Sequence, residues 1–283
     1  MQPSHFHRIK TEPMKEPKRA LFISQEIYPY LTEETPIRRL NRMLPELCQS
    51  TGYETRTFMP KYGEINERRN QLHDVIRLSG TNLIIDDTDH PLQLKVASIP
   101  SARIQIYFID NDDFFRRRRG LVDENGNEYD DNDERCIFFA RGAIDTVKKL
   151  RWTPDIIFCS GWMSALAPLY LRTAYADTPF FTHAKIIFSL YNTPFNKPFG
   201  TEFAEKTLVD GVKPDHVALL KDKEVDYNLL MQFAIQYSDA LTISDPELSE
   251  PLLKMAQQAN KPLLPYQAND EAYLDFFKQL MEE

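Results

Sequence analysis

The sequence predicts an α/β protein built on a doubly wound, mostly parallel sheet, with an antiparallel β-hairpin insertion. Three observations carry this. Arg19–Ser24 and Thr55–Met59 are short apolar runs separated by a helix-patterned segment, a strand–helix–strand opening. Between Asn82 and Ile109 the pattern switches to alternation, as in Leu92, Leu94 and Val96, which suits half-buried antiparallel strands. From Asp131 onward, strand and helix patterns alternate again.

Each element has its own local reason. Arg19–Ser24 is bounded by polar residues, as a buried first strand is. Thr35 is placed to cap a helix, and Pro36 sits where a missing N–H costs nothing. Ile37, Leu40, Leu44 and Leu47 then recur at helical spacing up to Gly52. Asn82–Ile85, Leu92–Ile99 and Ile104–Ile109 read as strands, with His90-Pro91 as a turn between two of them. Asp131–Leu150 reads as a long helix with Cys136, Ala140, Ala143, Val147 and Leu150 on one face. Strands are expected at Asp155–Cys159, Lys185–Leu190 and Ala240–Ile243, and helices at Met163–Ala174, Tyr227–Tyr237 and Pro246–Gln258. Lys261–Tyr266 reads as a proline-broken turn. Asn269 or Asp270 caps a last helix with Leu274, Phe277 and Met281 on one side.

Composition bounds the function. The chain has 283 residues, 42% of them hydrophobic and 27% charged, which is ordinary for a globular protein. Its net charge of −8 argues against nucleic acid or an anionic membrane as main partner. No apolar run is long enough to span a bilayer. Cys48, Cys136 and Cys159 have no paired spacing and lie in apolar contexts, which suits reduced thiols in a cytoplasmic protein. Residues 1–18 are polar with three prolines and read as a flexible tail. Residues 19–283 are expected to form one domain, with 269–283 docking back on it as a helix.

Three motifs point further. They are Met59-Pro-Lys-Tyr-Gly-Glu-Ile65, the stretch from Tyr107 to Tyr170, and Tyr237-Ser-Asp-Ala-Leu-Thr-Ile-Ser244. Together, in this order, they resemble the N-terminal half of the bacterial glycogen/starch synthases, retaining glucosyltransferases that use ADP-glucose. The resemblance implies a Rossmann-like domain, the first half of the two-domain architecture called GT-B. In that architecture the second half holds most of the donor site. Asp245–Glu283 is too short to build that half.

The family's ligand-facing residues are largely replaced. After the first strand the family carries a lysine and two glycines (K-x-G-G-L) that meet the nucleotide-sugar phosphates at a helix N-terminus. Here the stretch is Leu31-Thr32-Glu33-Glu34-Thr35-Pro36. Thr32 takes the lysine position, and Glu33 and Glu34 bring like charge toward a diphosphate. Two such charges repel by about 1–4 kcal/mol depending on solvent. The family's H-x-x-D-W-H-T becomes Phe158-Cys-Ser-Gly-Trp-Met-Ser164, so Gly161 replaces the aspartate and Met163 the sugar-facing histidine, while Trp162 persists. The family's T-x-H-N becomes Ser189-Leu-Tyr-Asn192, with Tyr191 for histidine and Asn192 kept. Tyr62, Trp162 and Tyr191 are candidates for an aromatic platform that stacks glucan rings.

The remaining segments weigh less. The acidic stretch Asp123–Glu134 misses the EF-hand pattern because Gly126 comes too early, and reads as helix-capping acid. Arg116–Arg119 reads as a solvated, self-neutralised face. The six histidines show no metal-ligand spacing, and no cofactor is implied. The expected function is a synthase-like protein of glycogen metabolism, inactive alone, that binds α-glucan or, weakly, ADP-glucose. The alternative is the N-terminal subunit of a split synthase whose partner is a separate C-terminal half.

Overall fold

Apolar strands bounded by capped helices assemble here in two layers around one sheet. The computed structural model describes residues 16–282. Most of the expected tail therefore lies outside the described residues; at its end Lys18 Nζ meets Asp155 Oδ1 at 3.2 Å. The chain opens with β1 (Arg19–Ser24), α1 (Pro36–Ser50) and β2 (Glu54–Pro60). The middle holds β3 (His73–Asp74), β4 (Thr81–Ile85), β5 (Thr88–Ile99) and β6 (Ile104–Asp110). Next come α2 (Asn132–Lys149), β7 (Ile156–Ser160), α3 (Ala167–Arg172), β8 (Lys185–Leu190) and α4 (Phe203–Lys206). The chain continues through α5 (Tyr227–Tyr237), β9 (Ala240–Ile243), α6 (Glu250–Gln258), β10 (Leu263–Leu264) and α7 (Glu271–Glu282).

The strand order is β10-β9-β8-β7-β1-β2-β6-β5-β3, with β4 pairing β5. Every pair from β10 to β6 is parallel. β5 runs antiparallel to β6, β4 and β3, so the insertion is the hairpin region read from the alternating segment. The central strands bury both faces, which is why they read as unbroken apolar runs. On one face Leu21, Ile157 and Phe188 pack with α2, α3 and α5 through Ala140, Leu169 and Leu230. On the other, Phe22, Phe158 and Ile187 pack with Ile37, Leu40 and Leu44 of α1 and with Tyr273 and Phe277 of α7.

The structure corrects four local expectations. His90-Pro91 is not a turn but part of β5, with Pro91 opposite Asn82. The turn is Asp86-Asp87, both with positive φ (47° and 60°), the backbone a two-residue hairpin demands. Aspartate tolerates that conformation, so no glycine marked it. The helices expected from Met163 and from Pro246 both start later. Pro168 and Pro251 would fall inside those longer helices and break their hydrogen bonding. In the structure each sits at the start of a shorter helix, α3 or α6. Finally, Lys261–Tyr266 is not only a turn: Leu263 and Leu264, between two prolines, add a short parallel strand beside β9. Prolines are tolerated at such an edge.

Thr35 does cap α1, its Oγ1 accepting from the Arg38 N–H at 3.4 Å, with Pro36 in the first turn. At α7, Asn269 Oδ1 accepts from the Glu271 N–H at 3.0 Å. Phe277 is fully buried and its ring lies 6.0 Å from that of Phe158. Truncating it leaves a cavity between α7 and the sheet. Phe277→Ala is expected to cost about 3–5 kcal/mol. At roughly 2–4 °C per kcal/mol, the melting temperature should drop by about 6–20 °C. A thermal melt that does not move would mean that α7 contributes nothing to the core.

Candidate functional site

A doubly wound sheet offers its ligand crevice where the strand order reverses, outside the C-terminal strand ends. Here the chain moves from β1 outward through β2 on one side and returns through β7 on the other, so that point lies between β1 and β7. Ser24 and Ser160, the last residues of these strands, are paired partners. The loop after β1 carries Thr32, Glu33 and Glu34, and the turn after β7 carries Gly161, Trp162 and Met163.

Gln25 fills this point. It follows Ser24 directly, is fully buried, and its backbone N–H donates to Ser160 O at 3.0 Å. Its side-chain Oε1 accepts the Met163 N–H at 3.1 Å. Tyr62 closes the other side, its hydroxyl donating to Gln25 O at 3.1 Å. Gly161 makes this arrangement fit. It adopts φ 81° and ψ 159°, a region essentially closed to other residues. A Cβ there would stand 2.6 Å from the Gln25 side chain. Glycine at the family's aspartate position is thus a steric requirement of the Gln25 side chain, and its replacement of a polar group is only half the account.

The acidic loop faces solvent: Thr32, Glu33 and Glu34 are all exposed. The two arginines that begin α1 do not offset them for an incoming anion. Arg38 pairs with Glu26 at 3.0 Å and reaches Glu33 O at 3.1 Å. Arg39 grips Asp270 with both terminal nitrogens, at 3.1 and 3.2 Å. The hydrogen bond to Asp270 holds the Arg39 guanidinium even more firmly protonated than usual. Gln25, Arg38 and Arg39 did not stand out in the sequence, and Asp270 read only as a candidate cap of the last helix. The position of Gln25 directly after the first strand was the available signal.

The three aromatic candidates are all buried. Tyr62, Trp162 and Tyr191 are 0, 2 and 1% exposed, so none offers a ring face to a sugar. Tyr62 packs edge-on against Phe115, and Trp162 against Phe195 and Phe199. Tyr191 belongs to the core under α7, and burial pushes its phenol far above its usual pKa. Met163 is fully buried, while Asn192 is exposed, its N–H donating to Asp245 Oδ2 at 3.0 Å.

Neighbouring charges are internally satisfied. Arg116 meets Asp110 and Asp112 at 2.7 and 2.6 Å, Arg117 meets Asp113, Arg118 meets Asp131, and Arg119 meets Glu64. The run is neutralised as expected, although only Asp131 comes from the acidic stretch. Within that stretch, Asp133 and Glu134 share Lys206, each at 2.9 Å, in the first turn of α2, while Asp131 makes no side-chain cap. Among the described residues, no group of three His, Cys, Asp or Glu is arranged to hold a metal. No helix described is long and apolar enough to cross a membrane. Arg135, which the sequence reading passed over, is fully buried and ties the loop before α2 together. It donates to Phe114 O at 2.8 Å and Gly120 O at 2.7 Å.

Fold and crevice together define a Rossmann-like domain of the GT-B type, and the comparisons with known proteins say which. Residues 19–261 match the starch synthase catalytic domain family, and the chain belongs to it. It is 35% identical over 233 residues to a glycogen synthase of Chlorobium chlorochromatii, covering 82% of this chain and 46% of that protein. It is 33% identical over 236 residues to a glycogen synthase of Chlorobium phaeobacteroides, covering 81% and 48%. The chain spans about half the length of these curated relatives. Among solved structures it resembles the catalytic domain of starch synthase IV from Arabidopsis thaliana bound to ADP and acarbose. The TM-score is 0.66 at 16% identity, over 89% of this chain and 51% of that one, a likeness of fold.

The Gln25–Gly161 contact gives a direct test. Gly161→Ala is expected to destabilise the protein by about 1–3 kcal/mol through backbone strain and overpacking. Adding Gln25→Gly, which also removes the Cβ at 2.6 Å, should recover the overpacking part but leave the strain. Denaturant titration of both variants checks this; equal loss in the single and double variant would mean that the side chains do not compete for space.

Proposed function

We propose that this chain is a cytoplasmic member of the glycogen/starch synthase family with little or no transferase activity alone. It would act as a glucan-binding or regulatory partner in glycogen metabolism, with residues 19–283 folding as one unit. One observation carries this reading. At the helix start where the family meets phosphate, the chain exposes Glu33 and Glu34 and engages both nearby arginines with carboxylates. Pro36 removes a donor from the same helix end. An anionic donor therefore meets repulsion of about 1–4 kcal/mol, and the two arginines at that helix start are already paired. The point between β1 and β7 is also filled by Gln25. The family relationship supports the link to glycogen, and the altered site supports the loss of donor binding.

A second reading is favoured by the intact half-fold. Every strand from β1 to β9 is in place, and the relatives are about twice as long. A separate C-terminal half could then supply the donor site and restore a working synthase.

The first reading predicts that ADP-glucose binds weakly or not at all. In isothermal titration at low salt, a low-micromolar dissociation constant, equivalent to about −8 kcal/mol, would overturn it. Glu33→Lys with Glu34→Gly should strengthen binding if charge is the main obstacle. Glycogen co-sedimentation tests the other half of the proposal: a chain that stays in the supernatant at every glycogen concentration is no glucan partner.

A further inference from the structure

Three open depressions adjoin along segment 66–80 and β5. The first, of about 440 Å³, shares Glu67 with the second, of about 520 Å³, and the second shares Arg116 with the third, of about 430 Å³. They therefore form one continuous groove. Its wall is fixed to the sheet: the Val75 and Gly80 N–H groups donate to Leu94 O and Leu92 O, each at 2.8 Å, and Leu78 is buried. Between these anchors Ile76 faces outward. At 85% it is the most exposed large apolar residue among those described, and it lines the groove. A single exposed isoleucine carries little by itself; the charges around it decide what it can meet.

The floor of the groove is electrically closed. Lys95 lies between Glu67 and Asp74 at 3.1 and 2.7 Å, Lys61 holds Glu67 at 3.0 Å, and Arg116 holds Asp110 at 2.7 Å. The wall is not. Arg68 lines the groove, Arg69 follows it in sequence, and Arg77 follows Ile76. All three arginines are exposed, and none forms a salt bridge among the described residues. On a chain of net charge −8 this is a local excess of positive charge, which draws an anionic partner to this face. A uniform polyanion would also bring its charges over Glu67 and Asp74 in the floor, and it would leave Ile76 in water. An acidic peptide meets neither obstacle. Its carboxylates can pair with the guanidinium groups, and an apolar side chain between them can cover Ile76.

We propose that this groove docks an acidic peptide segment of a partner protein, with carboxylates on Arg68, Arg69 and Arg77 and an apolar side chain on Ile76. The inference does not depend on glucan binding, and none of these four residues belongs to the crevice between β1 and β7.

The test is fluorescence anisotropy of the full chain with a labelled peptide that repeats two glutamates and a leucine. A peptide with lysine for every glutamate and a linear polyphosphate serve as controls. The expected result is saturable binding of the acidic peptide alone, weakening as salt is added. The triple variant Arg68→Gln, Arg69→Gln, Arg77→Gln should weaken it by about tenfold, since each exposed ion pair contributes modestly. Ile76→Ser should weaken it as well, and Ile76→Leu should retain it. All four positions are on the surface, and circular dichroism checks that each variant is folded. No saturable binding of the acidic peptide would overturn the proposal. Binding unchanged in the triple variant would place the peptide elsewhere and overturn it too. Polyphosphate binding more tightly than the peptide, and indifferent to Ile76→Ser, would mark a polyanion site and overturn the assigned partner class.

Discussion

The structure depends on how β1 and β7 close against each other at their C-terminal ends. These are adjacent central strands, and the whole sheet is built outward from them. At their ends the chain must turn in two directions within a small space. Gln25 and Gly161 share that space: one contributes a side chain, the other the lack of one. The Gln25 Oε1 bond to Met163 and the Gln25 N–H bond to Ser160 lock the two turns together. Trp162, packed on Phe195 and Phe199, and Tyr62, bonded to Gln25 O, then take their positions from that lock. The Gln25 Oε1 is satisfied within the chain, while its Nε2 is buried without a partner.

The same logic runs along the strand ends. Ser24, Ser160, Ser189 and Thr242 form an in-register row across β1, β7, β8 and β9. One step deeper, Phe22, Phe158, Ile187 and Ala240 form an apolar row on the same face, against α1 and α7. The sheet thus changes from apolar to hydroxylic over two residues. Buried hydroxyls are costly unless paired, and most here are: Ser160 donates to Asn41 and Ser189 to Ser244. Ser24 and Tyr191 are the exceptions. α7 completes this layer through Tyr273, so the segment beyond the family match is continuous with the crevice.

Much of this was legible in the sequence. Strands bounded by polar residues, such as Lys185–Leu190, and the Thr35-Pro36 helix start are governed by local rules, and local reasoning found them. The misplaced boundaries have a shared cause: Pro168 and Pro251 were read as passengers in long helices, although a proline fixes where a helix can begin. The hairpin turn escaped because His90-Pro91 looked like punctuation, while the conformational work is done by two aspartates. Burial of Tyr62, Trp162 and Tyr191 was not legible, because an aromatic residue has the same letters in a core as on a platform. Long-range pairs such as Arg39 with Asp270, 231 residues apart, leave no local pattern at all.

The charges at α1 show how a helix start can be satisfied by groups of its own chain. A helix N-terminus has unpaired N–H groups and a partial positive charge, which something must satisfy. In a phosphate site the ligand does so. Here Thr35 accepts one N–H, Pro36 removes another, and Glu33 and Glu34 lie just ahead of the positive end. Arg38 bridges Glu26 and the Glu33 carbonyl, which holds the loop over the helix. Each feature is ordinary capping chemistry, and together they supply from the chain what a bound diphosphate would otherwise supply. The consequence is a helix start whose polar groups and nearby arginines already have partners within the chain.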